Sequence, residues 1–308
     1  MTHPGIEMYG CTVFQAVTDG AVHAGAVMAL NERYPADATT TIMDLTVEAE
    51  AFGAQVSFEE NDIPNVVGRL VSDYDSVAAL QVPSLDCGRV REFLKADTII
   101  AGNINDKPVY AGCIGPFSLA GRLFDLSEML MAMYIEPETV SLLLEKCTTF
   151  LMEYIKAIKA TGVDGVIIAE PAAGLISNED CCNFSSSYIR RMVEEVQDGS
   201  FTVILHNCGN TGHCTDAMIA TGAAGLHFGN RADMVTALET CPPDRLVMGN
   251  IDPVGILKLV SPEEVREAVT DLLEKTAPYP NFILSTGCDV PPGIPEANIQ
   301  AFYEAARA

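Results

Sequence analysis

The chain has 308 residues, enough to bury a large apolar core without disulfide staples. Its hydrophobic fraction of 48% and charged fraction of 19% fit a compact globular protein and exclude a disordered one. With 18 basic and 42 acidic residues the net charge is −24, a field that repels phosphate backbones and anionic lipid heads and argues against nucleic-acid and membrane-surface roles.

No uncharged apolar run reaches about 18 residues, so no membrane span is expected. The first residues lack the basic-then-apolar pattern of a secretory signal. A cytoplasmic setting is expected, with the ten cysteines reduced.

In chain order, residues 1–40 read as a helical lead-in with a helix over 14–33, and a strand follows over 41–45. The next strand, 109–113, ends in Gly-Pro-Phe-Ser. Pro137 opens a helix whose Val140, Leu143, Leu144, Cys147 and Leu151 share one face, and Gly162 stops it. Residues 163–169 are apolar at nearly every position, the pattern of a strand buried on both faces of a parallel sheet. The cycle then repeats as helix 185–196 and strand 201–206, helix 215–220 and strand 224–228, helix 232–239 and strand 246–250. Ser261 and Glu264 make a capping box with Pro262 at N1, opening a helix to Lys275. A strand over 282–285 and a helix from Pro295 complete the series.

Seven strands are placed in this way and an eighth is not. Repeated βα units favour a parallel barrel or a doubly wound sheet. Neither GxGxxG nor GxxxxGK[ST] is present, so the nucleotide-binding folds lose their usual support. The reading is a single α/β domain over 1–308, a (β/α)8 barrel of TIM type.

Such barrels carry their chemistry just after the C-terminal ends of the strands. Here those places hold Asp44, Glu48, residues 115–118, Glu170, 206–210, 227–231, 250–252 and 286–289. His206 and Cys208 form H-x-C, and alternation along a strand sends both side chains the same way. Cys288 occupies the matching place after the last strand. An imidazole and two thiolates are a soft set that suits Zn²⁺ and leaves one exchangeable position. The competing reading, a buried histidine among core cysteines, does not explain why all three sit in glycine-rich loops. Cys214 belongs to the following helix, and the adjacent Cys181 and Cys182 cannot easily converge on one ion, so these are read as structural. His3, His23 and His213 have no patterned neighbours. Asp252 is read as a turn cap. Asp44 and Glu48 each have a plain reading as acids at a helix start.

Six segments together resemble the uroporphyrinogen decarboxylase superfamily, in its corrinoid-dependent methyltransferase branch. They are MDLTVEAEAFGAQVSF from Met43, GPFSLAGRL from Gly115, AEPAAGLIS from Ala169, LHNCGNT from Leu205, GNIDP from Gly249 and STGCDVPPGIPEAN from Ser285. The resemblance runs from Thr41 onward, and the lead-in looks shorter than is usual in that branch. It implies a barrel fold and transfer of a methyl group from a methylated corrinoid to a thiol such as coenzyme M, with tetrahydrofolate as a further conceivable acceptor. It implies Zn²⁺ on His206, Cys208 and Cys288, with Glu170 or His227 as fourth-ligand candidates, because Gly229 and Asn230 stand where relatives carry an acid. Asp44 and Glu170 are the candidate catalytic carboxylates. No D-x-H-x-x-G signature occurs, so the methylcobamide is expected on a partner corrinoid protein. An anionic thiol needs a basic contact, for which Arg122, Arg231 and Lys107 are candidates. Tetrapyrrole decarboxylation is disfavoured: there is no tryptophan and no arginine before Arg33. A non-catalytic zinc- or corrinoid-binding role is the other alternative.

Overall fold

In the computed structural model, which describes residues 3–308, the alternating segments wind one curled parallel sheet. Nine strands form: β1 (Thr39–Thr40), the short antiparallel pair β2 (Val56–Ser57) and β3 (Asn65–Val66), then β4 (Val109–Ile114), β5 (Gly165–Ala169), β6 (Thr202–Asn207), β7 (Gly225–Phe228), β8 (Leu246–Ile251) and β9 (Phe282–Thr286). The main sheet has the order β1-β4-β5-β6-β7-β8-β9, with every pairing parallel. This is the expected α/β barrel architecture of TIM type, built on seven strands. Among the described residues no ladder joins β9 to β1 and no eighth strand enters the sheet. No helix among them is long and apolar enough to cross a membrane.

Register decides which side chains face inward. His206 pairs with His227, His227 with Met248 and Met248 with Ile283, so these share one face of the sheet. The alternate row, Cys113, Ile168, Leu205, Leu226 and Val247, is buried. It faces the helices, chief among them Pro137–Ala160, which starts on a proline and ends before Gly162 at φ 95°. Leu144, Leu151 and Ile155 of that helix are fully buried, and each such side chain contributes about 1.5–3 kcal/mol.

Three sequence expectations shift. The helix over 14–33 is two helices, Val13–Thr18 and Gly20–Arg33, because Asp19 caps the end of one and accepts from Ala21 N at 2.8 Å to start the next. The strand expected over 41–45 does not form there; the ladder with β4 takes in Thr39–Thr40 just before it. Beyond it, Ile42 N donates to His23 Nε2 (2.8 Å), and Asp44 Oδ1 accepts from Thr46 N, turning the chain into the helix Val47–Ala51. The helix over 185–196 begins with a π-helical turn, Cys182–Ser186, before regular Ser187–Val196.

Candidate metal centre

The H-x-C pattern becomes a site at the end of β6. Asn207, between the two ligand candidates, is buried, and its Oδ1 accepts from Gly209 N (3.1 Å) and Asn210 N (3.0 Å). That turn holds Cys208 at the mouth. Cys288 arrives on the loop after β9, where the Thr286 hydroxyl donates to its carbonyl at 2.7 Å. The ligand atoms of His206, Cys208 and Cys288 lie within 4.8 Å of one another. Two thiolates on a tetrahedral zinc at about 2.3 Å stand about 3.8 Å apart, so the three donors fit that ion with a small contraction.

Close backbone packing brings these loops together. A Cβ at Gly229 would lie 2.6 Å from the Cys208 carbonyl oxygen, and one at Gly287 would lie 2.3 Å from Asn230 N. Position 229 therefore has no room for any side chain, carboxylate included. Asn250 Nδ2 donates to the carbonyls of Gly229 (2.9 Å) and Ala232 (2.7 Å), fixing the same loop.

His227 stands behind the three donors and is not one of them. Its Nδ1 is 2.6 Å from His206 Nδ1, and its Nε2 is 3.2 Å from Ser285 Oγ. Burial, then the neighbouring His206, pulls His227 down to about 3, so it stays neutral. Between two Nδ1 atoms one ring donates and the other accepts, leaving His206 Nε2 as the nitrogen free to meet the thiols. Metal-bound histidines are commonly oriented by such a second contact. The two thiols act on each other: the Cys208 S–H, then His206, lowers Cys288, while Cys288 and then burial raise Cys208.

The carboxylates on the other side of the mouth are engaged differently. Glu170 is buried; its Oε2 accepts from Phe117 N (3.0 Å) and Ser185 Oγ (3.2 Å), its Oε1 from Ser118 N (2.6 Å). It thus caps the helix Pro116–Phe124, and it is not in the three-donor group. Burial pushes it up to about 7 against the pull of those bonds. Asp44 Oδ1 accepts from Thr46 N (2.9 Å) and Thr46 Oγ1 (2.8 Å), and its Oδ2 meets Arg89 Nη1 at 2.5 Å. Arg89 also binds Glu50 (2.6 Å) and lies 4.8 Å over the Phe58 ring. Glu48 accepts from Ile114 N at 3.0 Å, leaves Oε2 without a partner, and is pushed by burial up to about 7.

The remaining candidates have structural contacts. Cys214 faces the carbonyls of Ala173 and Ile176 at 3.7 and 3.4 Å, and Cys181 contacts Ser186 at 3.9 Å. His213 approaches Ile176 O at 3.2 Å. Asp252 Oδ1 accepts from Val254 N and Gly255 N, the turn expected of it. Lys107 precedes β4, at the far end from the mouth, and pairs with Asp106. Arg231 is exposed; Arg122 is half-buried, near Asp44 and Glu48. Sequence reading placed Asn250 at a strand end without giving it a role, and missed Arg89 and Ser285 as supports. Ser285 could have been flagged by its strand-end position, but Arg89 belongs to no βα unit and carries no such signal.

Residues 3–308 match the profile of the uroporphyrinogen decarboxylase (URO-D) family. The chain belongs to that family. It is 30% identical over 275 residues to the methylcobamide:CoM methyltransferase MtbA of Methanosarcina acetivorans, spanning 88% of this chain and 79% of that one. The MtbA of Methanosarcina mazei gives the same identity and coverage. The uroporphyrinogen decarboxylase of Serratia proteamaculans is 25% identical over 287 residues, 90% of this chain and 80% of its own. Among solved structures, a methyltransferase from Methanosarcina mazei superposes with a TM-score of 0.90 over 99% of this chain and 90% of its own, at 23% identity. A B12-independent methionine synthase from Shewanella sp. W3-18-1 gives 0.63 over 93% and 88%, at 15% identity. At these identities the superpositions show the fold.

Proposed function

We propose that this methyltransferase moves a methyl group from a methylated corrinoid to a thiol at a zinc centre held by His206, Cys208 and Cys288. The observation that carries the reading is the convergence of these three soft donors within 4.8 Å, in a chain 30% identical to methylcobamide:CoM methyltransferases. Zinc in such a site supplies charge that keeps an acceptor sulfur as the nucleophilic thiolate at neutral pH. His206 presents one nitrogen, oriented through His227 and Ser285. Cys208 and Cys288 supply negative charge that sharpens the nucleophile. The acceptor's thiol proton leaves to solvent. A sulfur lone pair forms the new S–CH₃ bond, and the cobalt–carbon bond breaks with its electron pair staying on the corrinoid. The donor is a cobamide brought to the mouth by a separate corrinoid protein.

A thiol acceptor is favoured over tetrahydrofolate, whose nitrogen attacks through its own lone pair and sheds a proton to a base, with no need of a thiolate-binding metal. Asp44, a candidate catalytic carboxylate, has both oxygens occupied by Thr46 and Arg89. The test uses the purified protein, free methylcobalamin and a small thiol. About one zinc per chain, methyl transfer, and one added sulfur neighbour to zinc at about 2.3 Å on thiol binding are expected. Thiol binding with full affinity to zinc-free protein, with an unchanged zinc shell, would overturn the metal's role.

A further inference from the structure

Two cysteines outside the metal centre meet between the loops that support it. Cys181 ends the short helix Asn178–Cys181, in the segment after β5. Cys214 is the N-cap of the helix Thr215–Ala220, in the segment after β6. Both are buried free thiols. The two helices are joined at a fixed point, where Ala217 N donates to Asn178 Oδ1 at 3.1 Å. Cys181 follows Asn178 by three positions and Cys214 precedes Ala217 by three, so each cysteine stands one turn from that bond on the same helix face. There the Cys181 thiol donates to the Cys214 sulfur. The Cys214 thiol in turn donates to the Ile176 carbonyl at 3.4 Å.

A metal does not explain this contact. Among the described residues the group of three close metal-capable donors is His206, Cys208 and Cys288, so the second thiol pair lacks a third ligand. Two touching thiols with no further donor suit a disulfide better than an ion. A π-helical turn, Cys182–Ser186, begins at the residue after Cys181 and packs on the helix Thr215–Ala220. Such irregular turns recur at functional sites.

Cys214 is also the far end of the loop that carries Cys208. Its N–H donates to Asn210 Oδ1 (2.9 Å), and Asn210 N donates to Asn207 Oδ1 (3.0 Å), the oxygen that shapes the turn at Cys208. The segment after β5 already lies against this loop, since a Cβ at Gly174 would stand 2.2 Å from the Gly209 carbonyl carbon.

We propose that Cys181 and Cys214 form a reversible thiol–disulfide site that, once oxidised by a peroxide, clamps the Cys208 loop to the segment after β5. Neither sulfur belongs to the metal centre, so the proposal stands apart from the methyl-transfer reading. Burial of both sulfurs favours a small neutral oxidant such as hydrogen peroxide over a bulky disulfide. The Cys214 sulfur attacks one peroxide oxygen, the O–O bond breaks, and water leaves with the thiol proton. The Cys181 sulfur then attacks the resulting sulfenic acid. The S–S bond forms, the S–OH bond breaks, and a second water leaves with the Cys181 proton. The two thiols together give up two electrons, which reduce one peroxide to two waters. A thiol reductant reverses the bond by exchange.

The test treats the purified, zinc-supplied protein with hydrogen peroxide and blocks the remaining free thiols. Reduction then releases disulfide-held thiols, which take a second label of different mass, and peptide fragmentation assigns it. Wild type should carry the second label on Cys181 and Cys214, and dithiothreitol before blocking should abolish it. Cys181→Ser should remove the label from Cys214, and Cys214→Ser from Cys181, while Cys182→Ser should leave the pair intact. Amide hydrogen exchange over residues 209–214 should slow by about 10-fold or more in oxidised wild type. Because the label map and the exchange are both read on wild type, a variant that folds poorly does not decide the result. Label on Cys182, or on Cys208 and Cys288, with Cys181 and Cys214 still free would overturn the assignment, as would no second label anywhere. An oxidised pair with unchanged exchange over 209–214 would overturn the clamp.

Discussion

The mouth of the barrel has two unlike sides. On β6, β7 and β9, sulfur and imidazole groups converge with coordination capacity to spare: three donors face one point, and His227 supports them from behind. On β1, β4 and β5, the acids are buried and committed to the chain itself. Glu170 accepts two backbone N–H groups and a hydroxyl, and Asp44 is filled by Arg89 and Thr46. Both sides are rich in groups that a motif reading marks as catalytic. Hydrogen-bond partners separate them: a buried acceptor already satisfied by backbone donors builds the fold, while convergent, partly accessible thiols are free to bind.

The largest expected effect lies on the sulfur side. Cys208→Ala or Cys288→Ala should strip the metal and lower methyl transfer by at least about 100-fold. The melting temperature should change little, since neither residue belongs to the apolar core. Zinc content and transfer measured on the same preparations check this; retained metal in either variant would break the contrast. The next effect lies on the acidic side and has the opposite signature. Arg89→Ala takes from buried Asp44 the one guanidinium it pairs with directly, which should cost about 3 kcal/mol of stability. Denaturant unfolding should show that loss while zinc per folded chain stays constant.

Much of this was legible in the sequence because it is local. Periodicity and punctuation mark the βα units: Pro137 and Gly162 bound one helix, and Ser261 and Glu264 start another as a capping box. The H-x-C pair was legible because strand alternation aims both side chains one way. What stayed hidden depends on register or long separation. The His206–His227 contact needs β6 and β7 in one particular alignment. The Asp44–Arg89 pair spans 45 residues. The loss of ladder after Thr40 follows from His23 capturing a backbone donor 19 residues away. The close approach at Gly229 shows only in three dimensions, yet it explains why no carboxylate stands there.

The boundary between the two sides is sharpened by His227, which touches a donor without being one. His227→Ala should leave all three donors in place and weaken zinc binding by about 10- to 100-fold. Competition with a chelator of known affinity measures this. His227→Gln, which keeps a hydrogen-bonding group, should recover part of the loss. A variant that holds zinc as tightly as wild type would show that His206 needs no orienting partner.

The smallest effect tests the acidic side by pH. Burial lifts Glu48 from 4.5 to about 7, so between those values the folded chain holds a proton that the unfolded chain has released. A raised carboxyl of this kind adds stability that is complete below the unfolded value and is lost as pH climbs through the folded one. Above pH 7 the fold must carry a buried carboxylate whose Oε2 has no partner. The rise sets an upper bound of about 3 kcal/mol, which structural relaxation and water penetration reduce to about 1 kcal/mol. Glu48→Gln keeps an acceptor for Ile114 N but cannot ionise. Its melting temperature should match that of the wild type near pH 5 and exceed it near pH 8.5, the gap opening around pH 7. Asp97 and Glu170, also raised to about 7, give the wild type the same slope, so the variant removes only one share of it. A gap that is constant with pH would mean that Glu48 does not titrate in the folded chain, and that the acidic side is held by more than the contacts described for it.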